Sequence, residues 1–586
     1  MGEPTSSEPI SETLDTHLLL RAFVDELARC GLAGACTSPG SRSTPLVLAL
    51  ARHEAVPTWS HVDERAGAFF GLGVAKATGR PTALACTSGT AAANYLPAVI
   101  EAAEARVPLV VLTADRPPEL RGVGAGQTID QVKLYGDAVK WFFEVGTHAA
   151  TPERLRWIRQ LACRAFWTAA SATPGPVHLN FALREPLLLP EGEELPEDPS
   201  GRPDGRPWVA RSAPPADPVA SGGAQALAPI VRAAQRGVVV LGRHERGRGL
   251  GRAAAAFAAA AGWPLLADPL SGGRTGPAAV AHWDLLLRHP AFADATTPDV
   301  VVRAGDLPTS KALRGWLASD GIGVQVSLDD EDAWQDPFAA VDLILAVDPV
   351  AALAGAAAGA VPADPAWLGG WRRADELAAA AIREAVGNEL SEPGVALELG
   401  GALPASATLV VSASMPIRDV ETFFGVRDDP PRVLSNRGAN GIDGVVSTAF
   451  GVAAGSAGPV VLLIGDVALA HDLGGLLAAH RTRLPLTIVL LDNAGGGIFD
   501  FLPVARERDV FEQHVATPTG LDPERVAALF GLRHVLARDL PGFRAALDDG
   551  LAHDGVTLLE VRGDRAANVR LHRRITRAVQ EALSSA

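Results

Sequence analysis

The feature that most restricts the fold of this chain is a recurring unit: a short aliphatic run that ends in Gly, Asp or Pro, then a helical pattern, then another aliphatic run. PVVLLIGD (459–466) followed by LPLTIVLLDN (484–493) shows it most plainly. A strand apolar on both faces must be covered on both, and the helix between two such strands supplies one cover. Repeats of this kind specify a parallel, doubly wound α/β sheet.

The rhythm occurs three times. Residues 12–190 carry LLLRAFVDELARCGL, ACTSPGSRS, AGAFFGLGVAKATG, TALACTSGT and VPLVVLTADRP. Residues 191–220 are dense in Pro, Gly and charge and read as a linker. A second α/β domain, 221–365, holds GVVVLGR, WPLLADPLSG, DVVVRAGDLPTSK, GVQVSLDD and DLILAVD; a third, 366–586, holds ATLVVSASMP, the two runs quoted above, and VTLLEVRGD. At 586 residues the chain is too long for one core, so three domains are expected. Residues 1 to about 12 are polar and expected to be disordered.

A net charge of −15 argues against nucleic acid as the main partner. No apolar stretch approaches the roughly 20 residues of a membrane span. The N-terminus is acidic where a signal peptide would be basic, and the four cysteines lack metal-ligand spacing. A reduced, cytoplasmic protein is expected.

In an open parallel sheet, ligands bind beyond the carboxyl ends of the strands. Asp466 follows VVLLIG and Asn493 follows TIVLLD, a separation suited to a strand, a helix and a return strand, which would set both side chains on one rim. After Asn493 come Ala494 and three glycines, where a backbone carbonyl such as that of Gly495 can turn inward. One carboxylate, one amide oxygen and one carbonyl make a hard, incomplete oxygen set, as Mg²⁺ or Mn²⁺ accepts when phosphates and water complete the shell. A helix beginning near Val467 would offer its N–H groups to the same anion. Taken alone, Gly-Asp after a strand also suits a turn or a helix cap; with the spaced Asn and its glycines, the pattern reads as a metal–diphosphate site.

At these residues the chain resembles the thiamine diphosphate enzymes, whose signature is Gly-Asp-Gly and, later, Asn-Asn. It departs at Val467 and at Asp492, neither a metal ligand in that pattern. The resemblance implies three doubly wound parallel-sheet domains of the thiamine diphosphate-enzyme type. It also implies cofactor contacts from Gly465, Asp466, Val467, Asn493 and Gly495, with Asp466, Asn493 and Gly495 on the metal. Glu64, in HVDERAGAFFGLGVAKATG, stands at the catalytic position, where a carboxyl group shares its proton with N1′ of the aminopyrimidine. By its place in a first helical turn alone, Glu64 would be read as a dipole-complementing residue. In this superfamily such a glutamate and the metal-binding carboxylate meet across a subunit interface, so at least a homodimer, and a dimer of dimers, is implied.

Six segments narrow the resemblance: SPGSRSTP (38–45), DERAGAFFGLGVAKATGRP (63–81), TSGTAAANYLPAVIEA (87–102), TADRPPELRGVGAGQTIDQ (113–131), SNRGANGIDGVVSTAFG (435–451) and GGGIFDFLP (495–503). They resemble the branch that decarboxylates 2-oxoglutarate and adds the succinyl unit to isochorismate in menaquinone biosynthesis. Each substrate brings two carboxylates, which call for cationic forks. Ser41, Arg42, Arg116, Gln127, Arg418 and Arg437 stand at the matching positions. Lys311 matches too, although Ala312 replaces a second basic residue. Ser414 would lie near the diphosphate, Ile442 would bend the cofactor, and Ile498, Phe499 and Leu502 would wall the pocket. GRHERGRGLGR (242–252) lacks G-x-G-x-x-G spacing and reads as a loop, with no FAD expected. Two alternatives stand beside this: an acetolactate synthase-like enzyme on another 2-oxo acid, and a non-catalytic protein that kept the fold.

Overall fold

In a computed structural model, described here for residues 8–211, 222–245 and 249–585, the chain forms three six-stranded, all-parallel sheets. The first sheet has the order β2-β1-β3-β4-β6-β5. Its strands are β1 (Ala35–Thr37), β2 (Thr58–Ser60), β3 (Thr82–Cys86), β4 (Leu109–Asp115), β5 (Phe142–Glu144) and β6 (Pro176–Ala182). The second comprises β7 (Gly237–Leu241), β8 (Leu265–Ala267), β9 (Ala279–Val280), β10 (Val300–Ala304), β11 (Val324–Leu328) and β12 (Leu343–Leu345), ordered β12-β11-β10-β7-β8-β9. The third comprises β13 (Thr408–Val411), β14 (Arg432–Leu434), β15 (Val460–Gly465), β16 (Leu486–Asp492), β17 (Arg533–Ala537) and β18 (Val556–Arg562), ordered β14-β13-β15-β16-β18-β17. The central strands are buried along their length, as their aliphatic runs require.

The chain divides into two compact units. One holds the described residues within 1–213 together with 436–456 and 471–484; the other holds 214–435, 457–470 and 485–586. The first sheet lies in the first unit, and the other two lie in the second. Two segments of the expected third domain thus pack with the first sheet's unit. Glycine makes this packing possible: a Cβ on Gly73, in the helix Glu64–Thr78, would come within 2.1 Å of the Thr448 carbonyl oxygen. One on Gly451, in the helix Val445–Gly455, would come within 1.9 Å of that of Phe70. In the second unit one apolar core, around Trp371, Phe423 and Phe543, runs across the second and third sheets.

Two sequence expectations change. Residues 8–12 are not disordered but open the helix Glu8–Cys30; residues 1–7 lie outside the described residues. The stretch 191–211 has no helix or strand, yet it is strapped down: Arg159, 1% exposed, binds Ser200 Oγ at 2.8 Å and Asp198 at 2.7 Å, and Arg29 donates to the Arg202 carbonyl at 2.8 Å. The rest of the expected linker, 212–220, lies outside the described residues, as do 246–248 within the Gly-rich loop. Among the described residues no helix is long and apolar enough to cross a membrane.

Candidate active site

Parallel pairing puts every strand's carboxyl end on one rim of its sheet, and most of the expected site residues follow strands of the first and third sheets. In the third sheet Gly465 is in register with Leu491, so Asp466 and Asn493 leave neighbouring strands within one residue of the same level. The helix begins at Asp466 itself and runs only to His471. Gly495 N–H donates to Asp466 Oδ2 at 2.8 Å, drawing the glycine loop over the carboxylate, with Ala494 and Gly495 at positive φ (59° and 140°). Asp466 is 8% exposed, and burial, followed by the charge of Asp492, raises its pKa to about 6.

Asn493 is 9% exposed, and its two amide atoms differ. Nδ2 donates to Glu392 Oε1 at 2.8 Å; Oδ1 is buried with no hydrogen-bond partner among the described residues. A buried acceptor without a donor is costly. An unmet oxygen beside a desolvated carboxylate is what a hard divalent cation would satisfy, so the residues fit such an ion. A Cβ placed on Gly465 would meet nothing within 4 Å, leaving room for a ligand against the strand end.

The other members of this unit follow β13 and β16 of the third sheet, except Lys311, which follows β10 of the second. Ser414, at φ 75°, precedes the helix Met415–Phe423, and its carbonyl accepts a hydrogen bond from Arg418. Burial lowers the Arg418 pKa, and Arg314, a cation that sequence reasoning passed over, lies close enough to contribute. Lys311 is exposed at the start of the helix Lys311–Leu317. Ile498 and Phe499 are half-buried in the turn Gly497–Phe501, while Leu502 is 39% exposed.

In the first unit Glu64 follows β2, Arg42 follows β1, and Arg116 follows β4. Glu64 opens its helix after the cap Asp63, whose side chain accepts from the N–H groups of Arg65 and Ala66. Glu64 Oε2 accepts from Asn94 at 3.2 Å. Arg42, 6% exposed, donates to the Leu183 carbonyl and to Glu185 Oε1, 2.7 Å away, and its Nε is buried without a partner among the described residues. Arg116 donates to Ser88 Oγ; burial, then the nearby charge of Arg42, lowers its pKa. Gln127, at φ 56°, is joined to Ser88 by two hydrogen bonds. Ser41, next to Arg42 in the chain, is exposed. Arg437 and Ile442 lie in the loop before the helix Val445–Gly455, anchored where Glu101 accepts from the N–H groups of Gly438 and Ala439 at 2.9 and 2.7 Å.

Sequence reasoning missed Glu392, Asn94, Ser88, Glu185 and Glu101. Ser391-Glu392-Pro393 carries a signal, but it is that of a helix start, with Ser391 capping the helix Glu392–Ala402.

Known proteins match most of the chain. Residues 19–134 match the thiamine pyrophosphate enzyme N-terminal TPP binding domain, 206–411 the middle domain of thiamine pyrophosphate enzymes, and 418–561 their C-terminal TPP binding domain. The chain belongs to the thiamine diphosphate-dependent enzymes. A protein of Geobacillus kaustophilus named 2-succinyl-5-enolpyruvyl-6-hydroxy-3-cyclohexene-1-carboxylate synthase is 45% identical over 94% of this chain and 96% of its own length. Proteins of the same name from Chloroflexus aurantiacus and Haloarcula marismortui are 43% and 42% identical, over 96% and 97% of this chain and 96% and 98% of their own lengths. Within the thiamine diphosphate-dependent enzymes it is a member of the 2-succinyl-5-enolpyruvyl-6-hydroxy-3-cyclohexene-1-carboxylate synthase family.

Proposed function

We propose that the chain decarboxylates 2-oxoglutarate and adds the resulting succinyl unit to isochorismate, releasing CO2, with Mg²⁺ or Mn²⁺ anchoring thiamine diphosphate, as a step of menaquinone biosynthesis in the cytoplasm. The observation that carries the metal half is the unmet Asn493 Oδ1 beside Asp466. The substrate half rests on the name its relatives share and on a rim whose buried arginine, Arg42, already holds a carboxylate, that of Glu185.

When bound, thiamine diphosphate supplies a nucleophilic carbon and holds the electron pair left by decarboxylation. Asp466 Oδ, Asn493 Oδ1 and the Gly495 carbonyl would hold the cation and through it the diphosphate. Gly465, Val467 and Ser414 line the approach, and Ile442 would pack against the cofactor. Glu64 would hold the proton at N1′ of the aminopyrimidine, with Asn94 fixing one of its oxygens. Arg42, Arg116, Arg418, Arg437 and Lys311 would clamp the substrates' carboxylates, Ser41 and Gln127 would orient them, and Ile498, Phe499 and Leu502 would exclude water. Glu64 and Asp466 meeting across subunits requires a homodimer at least, and we place the chain in a dimer of dimers.

The test incubates the protein with thiamine diphosphate, Mg²⁺, 2-oxoglutarate and isochorismate, following CO2 release and isochorismate loss. Turnover that needs both substrates supports the reading; CO2 released from pyruvate alone points instead to an acetolactate synthase-like enzyme.

A further inference from the structure

We infer that Glu392 is a positioning residue for the metal: it holds the Asn493 amide so that Oδ1 faces the cation. The inference rests on the metal reading above.

A glutamate in a first helical turn ordinarily faces water and complements the helix dipole. Glu392 does not: it is 5% exposed, and its Oε1 lies 2.8 Å from Asn493 Nδ2. An amide side chain can turn over, exchanging a donor for an acceptor at nearly the same position. Only one orientation presents oxygen to a cation. An acceptor oxygen at Nδ2 selects that orientation, because it takes the amide N–H and would face another acceptor if the amide oxygen stood there instead.

The surroundings leave the amide little other freedom. A Cβ on Gly497 would stand 2.9 Å from Asn493 Nδ2, and one on Gly563 would stand 3.5 Å from Asn493 Cβ and 3.6 Å from Glu392 Oε1. Gly497 therefore makes space for the amide, while a Cβ on Gly563 would be in ordinary contact with the pair. Outer groups that orient metal ligands in this way typically contribute 10–100-fold to metal affinity.

The test uses Mn²⁺ as the probe, with thiamine diphosphate present, and reads the free-ion signal by electron paramagnetic resonance, alongside thermal melting of the apoprotein. Glu392→Leu removes the acceptor at similar volume and should raise the Mn²⁺ dissociation constant about 10–100-fold, with the apoprotein melting no lower than wild type. Glu392→Gln keeps an acceptor oxygen and should stay within about fivefold, the worth of an ordinary hydrogen bond. Asn493→Ala tests the metal reading itself, which falls, and the inference with it, if that variant binds Mn²⁺ as wild type does. If Asn493→Ala is weakened but Glu392→Leu is not, or if Glu392→Gln loses as much as Glu392→Leu, the metal reading stands and the role of Glu392 is overturned.

Discussion

Two strands of the second unit end in the same way and do different things. GVVVLG of β7 and VVLLIG of β15 are central parallel strands that stop at glycine, Gly242 and Gly465. A Cβ on Gly242 would sit 1.5 Å from the Asp306 carbonyl oxygen, and the loop is stitched by Gly242 N–H to the Ala304 carbonyl and Asp306 N–H to the Arg243 carbonyl, both at 2.9 Å. The end of β7 is closed by its own backbone. The end of β15 is open, with nothing within 4 Å of a Cβ on Gly465 and a buried, unmet oxygen on the next strand. The comparison teaches that a glycine after a strand marks close approach, and the partner that approaches can be protein or ligand.

The largest expected effects lie at the open end and at the glutamate proposed to act on the same cofactor. Glu64→Gln should lower turnover by about 10²–10⁴-fold while retaining thiamine diphosphate binding, measured by steady-state kinetics and calorimetry. Asp466→Ala should instead abolish Mg²⁺-dependent cofactor binding in the same calorimetric titration. Wild-type behaviour of both would overturn the reading of the β15 end as a cofactor site. Chelation with EDTA should strip the cofactor yet leave the apoprotein folded, seen as lost fluorescence quenching with unchanged circular dichroism.

Gly242→Ala should cost about 1–3 kcal/mol of stability, or more if the backbone cannot shift, read as a lower melting temperature with cofactor affinity preserved. Gly465→Ala should reverse that pattern, changing stability by less than about 0.5 kcal/mol while weakening thiamine diphosphate binding. Equal melting losses in the two would show that the open end is not open. The smallest effect is expected at Glu185, whose carboxylate is largely exposed: an exposed ion-pair partner is worth about 0–1 kcal/mol, so Glu185→Ala should lower the KM for 2-oxoglutarate by at most a few-fold, by freeing Arg42.

Long aliphatic runs announced β4, β7, β15 and β16 because burial on both faces leaves no polar alternation. β6 was not foreseen, since His178 and Asn180 interrupt its run. Those side chains are buried against neighbouring strands: Thr113 lies 2.7 Å from both, and Asn180 Nδ2 donates to Asp115 at 2.9 Å and Glu144 at 2.8 Å. The edge strands β2, β5, β9, β14 and β17 were missed as well; four have two or three residues, and β17 is half-buried, so none carries a periodic signal. Asp466 and Asn493 could be read as a pair because βαβ spacing fixes their rim. Glu392 could not, because its partner lies 101 positions along the chain and its own neighbours spell a helix cap.

By itself the sequence determined the parallel sheets, the rim on which a ligand site is expected and the residue types found there, since these follow from strand period and the handedness of βαβ crossovers. Tertiary structure alone decided which glycine ends are closed and which open, which arginine already holds a carboxylate, and which way the Asn493 amide faces. Each of those depends on what is packed opposite, and packing partners come from segments whose separation in the chain carries no local signal.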